Sequence, residues 1–452
     1  MEQLDIFGIM YDKYTFKDIN LIELFAGYGS QALALKYLGV KFKHHKIVEW
    51  ATKSIQAYNE MHFQDNTDYS KEMTDIDVLE FLVDKGISMD YNQPMTREQI
   101  KRKGVEWQRK VYNDIIATHN LVDISRVHAS DLEMRGGQDY IMTYSFPCTD
   151  LSLAGLRKGM ERDSGTRSGL LWQVERILLE CKETGIMPQV LLMENVPEVC
   201  GENNKESFKD WCIQLTKLGY HNTMAILNAK DFGIPQNRRR CFMLSIYGEY
   251  AYSMPSEMKL EYKLKDLLEN NVDEKYYLNG KQIEEISKWN AYEKPLERME
   301  QTEKSVICPT ITTRTGEYTS SIILIKNVTK DDYKGTYNYG KSDNFIQWHE
   351  EGHFDLECRA WFEDGIAPTT TTPKQKILQN DLRIRKLTPR ECFRLMGVKD
   401  MDSNKINQSD ASKYHLAGDS IVTTCLMAIF GELLGLDYKS KIEELVENIK
   451  QK

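Results

Sequence analysis

The chain has 452 residues, 41% of them hydrophobic and 28% charged, with a net charge of −9 and nine cysteines. It is long enough for two domains around a sizeable core, and its composition is neither that of a disordered chain nor that of a disulfide scaffold. No apolar run reaches transmembrane length, the opening MEQLDIFGIMYDKYTFKD lacks an apolar signal segment, and the cysteines stand singly rather than in CxxC pairs. The expectation is a cytoplasmic protein with reduced thiols, no membrane and no metal. The acidic balance argues against a nucleic-acid partner only if the basic residues are spread out. They cluster at 155–167, 236–240 and 373–394, the last holding seven Lys or Arg against two acids.

Asn20 to Phe25 read as a strand, Gly27 and Gly29 as a tight turn, and Gln31 to Leu38 as a helix. A glycine turn that opens a helix lets backbone N–H groups approach a ligand. The pattern G-x-G-x-x-A also fits a nicotinamide-binding turn and is weak as a lone match. The next strand, 41–50, ends in Glu49, an acid placed to hold ribose hydroxyls in either cofactor class. Trp50 follows it, suited equally to an adenine face or to the core. Residues 62–120 then read as two amphipathic helices, 74–86 and 96–119, the second basic through Arg97, Lys101, Arg102, Lys103, Arg109 and Lys110. Contact with DNA or a partner competes there with a plain solvated insertion.

The apolar run 139–146 predicts a buried strand leading to Pro147-Cys148. Proline stiffens the turn that presents the thiol. Cys148 therefore falls at the C-terminal end of a strand, where open α/β sheets place ligands, and reads as a nucleophile or as a buried structural cysteine. The run 189–193 likewise delivers Glu194 and Asn195 to a strand end, where a carboxyl is either desolvated with a raised pKa or simply solvated. In QNRRR (236–240), alternation puts Arg238 and Arg240 on one face and Arg239 on the other, and two guanidiniums suit an oxygen-rich ligand. Strands near 20–25, 42–49, 139–145, 189–193, 222–228 and 240–247 alternate with helices near 30–38, 51–61, 168–183 and 206–218. That pattern predicts a doubly wound, Rossmann-like α/β domain. The stretch from about 250 to 384 differs, being rich in Thr, Tyr, Gly and Lys with short β-like runs such as 320–325.

These motifs, in this order, resemble those of the DNA (cytosine-5)-methyltransferase family over about 20–62, 121–248 and 385–436. The resemblance implies a cofactor turn at Phe25, Gly27, Tyr28, Gly29 and Ser30, with Phe25 on the adenine of S-adenosylmethionine. It implies further cofactor contacts from Glu49, Trp50, Asp123, Ile124, Pro147, Asp419, Ser420 and Ile421. Asp419 departs from the family's usual Asn, which both donates and accepts where an ionised Asp only accepts. Cys148, Glu194, Arg238 and Arg240 are the implied catalytic set, acting on a cytosine flipped out of the duplex. The glycine-bearing basic loop 155–167 is implied to close over DNA. DNA contacts are implied from Ser152 (alternatively a helix cap), Arg157, Lys158, Arg162, Gln236, Thr370 and Thr371.

The expected organisation is a catalytic domain over 1–250, a smaller, mostly β target recognition domain over 251–384, and a return to the catalytic domain over 385–452. Of two Thr-rich turns in the middle segment, 308–316 reads as a strand edge and 367–375 resembles the family's recognition element. The implied partner is double-stranded DNA, with a restriction endonuclease of the same specificity as a possible companion and a monomer as the expected state. A tRNA-directed branch shares the chemistry but carries a Cys-Phe-Thr signature; here Cys241-Phe242 and Cys392-Phe393 run on into Met243 and Arg394. A nicotinamide oxidoreductase leaves Cys148, Glu194 and the arginines without a role.

Overall fold

The computed structural model describes residues 14–147, 160, 162, 167–250, 252–279, 281–282 and 382–450, with short pieces at 300–302, 308–311, 322–326, 353–355 and 360–362. Cys148, Ser152, Arg157, Lys158, Thr370 and Thr371 lie outside the described residues.

Six strands form one sheet in the order β2-β1-β3-β4-β7-β5, with β1 Ile19–Leu24, β2 Phe42–Val48, β3 Asp139–Tyr144, β4 Val190–Asn195, β5 Tyr220–Asn228 and β7 Arg239–Tyr247. The first four are parallel, and β7 runs antiparallel to both β4 and β5. β1 and β4 are buried along their whole length because helices cover both faces. On one face an apolar layer takes in α1 (Ser30–Tyr37) and the C-terminal helices Thr423–Leu434 and Tyr438–Ile449. On the other lie α6 (Leu171–Thr184) and α7 (Lys205–Leu218). The strands and helices expected from the sequence appear within a few residues of their places.

Residues 62–120 form α3 (Asp75–Lys85), α4 (Arg97–Arg102) and α5 (Val105–Ala117). The single helix expected over 96–119 is thus two, parted at Gly104, the poorest helix former in the run. Several basic side chains here are paired within the insertion: Arg97 with Glu80, Arg109 with Asp75 and the Ser70 and Met73 carbonyls, and Lys110 with Asp114.

Two stretches assigned by sequence to the recognition segment reach the catalytic core. Leu264, Leu267, Leu268, Cys308 and Ile311 are buried in the layer that holds the C-terminal helices. Cys308–Pro309 pairs with the short strand β6 (Gln236–Asn237). The segment RKLTPREC then makes the most enclosed ion pair among the described residues. Thr388 caps helix Pro389–Leu395 and forms a reciprocal box with Glu391, whose carboxylate receives Arg385 through two hydrogen bonds of 2.7 Å. Both side chains of that pair are fully buried. Among the described residues, one helical stretch, 410–434, is long and apolar enough to cross a membrane, and 89% of its most apolar 18-residue window is buried within the protein.

Candidate active site

The strand register sets the site. Leu24 at the end of β1 pairs with Val48 of β2 and Tyr144 of β3, and Tyr144 pairs with Met193 of β4. The next residue along each strand is Phe25, Glu49, Ser145 and Glu194, and all four line one cavity of about 430 Å³. The chain leaves β1 towards β2 on one side and reaches β3 on the other, so the cavity sits at the topological switch point, where such sheets bind ligands.

At one end Glu49 is held by backbone. Its Oε2 accepts from Gly27 N–H at 2.9 Å and its Oε1 from Ala51 N–H at 2.7 Å. The Asn120 side chain clamps both the N–H and the carbonyl of Glu49, at 3.0 and 2.9 Å. Burial pushes the Glu49 carboxyl up to about 7, against those two hydrogen bonds, which lower it. Phe25, Gly27, Trp50, Asp123, Ile124, Pro147 and Asp419 complete the expected residues at this cavity. Trp50 lines the cavity while packing on the apolar cluster of α3 and α5. Asp123 is set by Ser125, whose N–H and hydroxyl both donate to its Oδ1. Asp419 stands 3.2 Å from Nδ1 of His415.

At the other end Glu194 faces Arg240, with Nε 3.2 Å from Oε1. Burial raises the Glu194 carboxyl above the usual range, and Arg240 and then Arg238 pull it back down. Asn195 donates to the Phe146 carbonyl at 2.9 Å, and Ser168 donates to the Pro147 carbonyl at 2.8 Å. Two side chains therefore fix the backbone that leads into Cys148.

Several expected site residues are placed elsewhere. Arg238 touches the cavity, but its guanidinium donates to the carbonyls of Ile311, Gly418 and Ser420 at 2.6, 3.0 and 2.7 Å. These bonds make it a strut between three segments. Gln236 is fully buried, with its amide nitrogen on the Leu395 carbonyl and its amide oxygen accepting from Ile311 N–H, so it has no face for DNA. Arg162 is bound through both guanidinium ends to Glu175 and lies over the Trp172 ring at 3.8 Å. That pairing holds it to α6. Tyr28, Ser30, Ser420 and Ile421 are buried and do not line the cavity; the Tyr28 hydroxyl donates to Ser420 Oγ at 2.9 Å, tying the glycine turn to the C-terminal motif. Gly29 faces the His62 and Tyr58 rings rather than the cavity. Conversely Ser54, Tyr91, Pro94, Val122 and Leu170 line the cavity and were not singled out by sequence. Tyr91 is one of 24 tyrosines and sits outside every motif.

A switch-point cavity with an acid and two aromatic rings at one end and a carboxyl–guanidinium pair at the other marks a Rossmann-type cofactor site of the kind that S-adenosylmethionine-dependent methyltransferases use. The family described as C-5 cytosine-specific DNA methylase matches residues 85–435. The chain is 31% identical to the type II methyltransferase M2.ScrFI of Lactococcus lactis subsp. cremoris, over 92% of this chain and 99% of that one. It is 30% identical to the orphan methyltransferase M.SssI of Spiroplasma monobiae, over 93% and 98%. The fold is shared with the Entamoeba histolytica methyltransferase EhMeth, at a TM-score of 0.56 and 15% identity over 93% of this chain and 98% of that one. It is shared with S. pombe Dnmt2 at a TM-score of 0.55 and 15% identity, over 92% and 98%. The chain belongs to the C-5 cytosine-specific DNA methylase family and is a DNA cytosine-5 methyltransferase. The lining of the cavity fits the family's donor, S-adenosylmethionine: it offers aromatic faces at Phe25 and Trp50 and carboxylates at Glu49 and Asp419.

Proposed function

We propose that Cys148 is the nucleophile of this methyltransferase and that Glu194 and Arg240 are the groups that act on the target cytosine. The observation that carries the reading is the Glu194–Arg240 pair, which shares one cavity with Glu49, Trp50 and Pro147, the residue just before Cys148. Cytosine C5 is a poor nucleophile until a thiolate adds to C6. Cys148 supplies that thiolate and makes C5 enamine-like. A free thiol has a pKa of roughly 8.5, so the bound base and its surroundings must favour the thiolate. Glu194, its pKa raised by burial, holds a proton at N3 and limits negative charge on the ring as the adduct forms. Arg240 orients Glu194 and meets the base at O2. S-adenosylmethionine supplies the methyl group transferred to C5. A water then takes the C5 proton, and the electron pair left behind restores the C5–C6 double bond as the C6–S bond breaks and the Cys148 thiolate leaves.

The target must be flipped out to reach such a cavity. We assign Ser152, Arg157 and Lys158 of the loop 155–167 and its approach to strand contacts, and Thr370 and Thr371 to contacts near the flipped base. Target selection belongs to the segment within 251–384. By analogy with its type II and orphan relatives, the protein marks DNA alone or beside an endonuclease reading the same site, and we infer a cytoplasmic monomer as its working state. Bisulfite sequencing of DNA from cells expressing the wild type should show cytosines methylated in one sequence context. The Cys148→Ser variant should show none while binding the donor normally; undiminished methylation by it removes the covalent mechanism.

A further inference from the structure

The loop between α3 and α4 is stitched to the end of β2. Ser88 N–H donates to the Trp50 carbonyl and Thr52 N–H to the Ser88 carbonyl, both at 2.8 Å. Ser88 Oγ donates to the Gln93 carbonyl at 2.8 Å, and Met95 N–H to the Ile87 carbonyl at 2.8 Å. These bonds bring Tyr91 and Pro94 from the insertion onto the cavity wall that carries Glu49.

Tyr91 is held there against its own preference. Its φ is +61°, a region costly for a bulky side chain. Its ring stacks on His415 with centroids 4.4 Å apart and planes 12° apart, and its hydroxyl lies 3.1 Å from Ser54 Oγ. His415 Nδ1 in turn lies 3.2 Å from the Asp419 carboxylate on the same helix. Burial, then the nearby Glu49 charge, pushes the phenol's pKa up, so it stays neutral. Phe25 and Val122 also combine positive φ with a place on this cavity, at +61° and +70°. Backbone strain collected around one cavity marks positions that the surrounding fold over-determines.

We propose that Tyr91 is a donor-binding residue contributed by the insertion, its ring covering the ribose held at Glu49, with His415 as the positioning residue behind it. The inference rests on the reading of this cavity as the donor site. A ring over ribose does not sense the sulfonium charge, so S-adenosylmethionine and S-adenosylhomocysteine should be affected alike.

The test is calorimetric titration of both compounds into the full chain without DNA, for Tyr91→Ala, Tyr91→Leu, Tyr91→Phe, His415→Ala and Trp50→Ala. Tyr91→Ala and Tyr91→Leu should raise both dissociation constants by about tenfold or more, Tyr91→Phe by no more than about threefold, and His415→Ala by an intermediate factor. Affinity for a duplex containing the target should not move. The leucine variant keeps volume at the site should the alanine variant fail to fold. If Trp50→Ala weakens donor binding while both Tyr91 truncations stay within about twofold of wild type, the inference is overturned and the donor-site reading survives. If neither Trp50→Ala nor Tyr91→Leu changes affinity, the donor-site reading fails and this inference with it.

Discussion

Alanine substitution at the two glycines of the cofactor turn should separate stability from binding. At Gly29 an added Cβ would stand 2.4 Å from His62 Nε2 and 2.7 Å from Tyr58 Cε2. Neither ring is free to retreat: His62 Nε2 bonds the Tyr28 carbonyl at 2.8 Å, and the buried Tyr58 donates its hydroxyl to Glu23. The φ of +84° costs about 1–2 kcal/mol for an L side chain. Forcing a methyl into packed rings adds about 1–3 kcal/mol, so Gly29→Ala should lose about 2–5 kcal/mol. At Gly27 the φ is +56° but nothing lies within 4 Å, because the position opens on the donor cavity. Gly27→Ala should therefore lose only the backbone term, about 1–2 kcal/mol, while the intruding methyl weakens donor binding by about tenfold or more. Chemical denaturation and donor titration of both variants at low temperature measure the two effects. His62→Ala should cost less in the Gly29→Ala background than in the wild type, since it removes the clash. Equal destabilisation by the two variants, or a Gly29→Ala protein of normal stability that has lost the donor, would refute the reasoning.

Glu194→Gln should lower kcat by about tenfold or more, since positioned acid–base groups contribute 10²–10⁴-fold; a change confined to the KM of the donor would contradict the assignment. The Glu49 carboxyl, raised by burial to about 7 from an ordinary 4.5, holds a proton below neutral pH in the free protein. Accepting two ribose hydroxyls requires the carboxylate, so donor affinity should fall about tenfold between about pH 8 and pH 6, and Glu49→Gln should bind weakly with a flat profile. The same raised value means that the free protein gains stability as pH falls from about 7 towards 4.5, and calorimetric unfolding across that window should lose this slope in Glu49→Gln. Glu391→Ala strands the fully buried Arg385 guanidinium, so it should lose about 3–5 kcal/mol in denaturation. Loss of less than about 1 kcal/mol would mean that the pair opens to solvent.

The sequence by itself determined where chemistry gathers. Apolar runs bounded by turns place the strands, and a side chain one residue past a strand end must lie at the sheet's edge. Phe25, Glu49, Pro147 and Glu194, all at or just beyond the C-terminal ends of their strands, were legible for that reason, and so was the doubly wound order that collects those ends. Only the tertiary structure decided which flagged residues look into the cavity. Gln236 and Arg238 satisfy the local pattern for ligand binding, yet their partners lie 159 residues away at Leu395 and 182 away at Ser420. Alternation along a strand says which face a side chain takes, but not what a distant segment brings to that face. Gly29 belongs to a motif whose glycines read as ligand-facing, but its missing Cβ makes room for His62. Tyr91 shows the converse: no local pattern marks it, and the Ser88 bonds to Trp50 and Thr52 carry it across to Glu49. Periodicity and turn chemistry act over a few residues, whereas burial of a polar group is settled by whichever carbonyl or ring the folded chain brings opposite it.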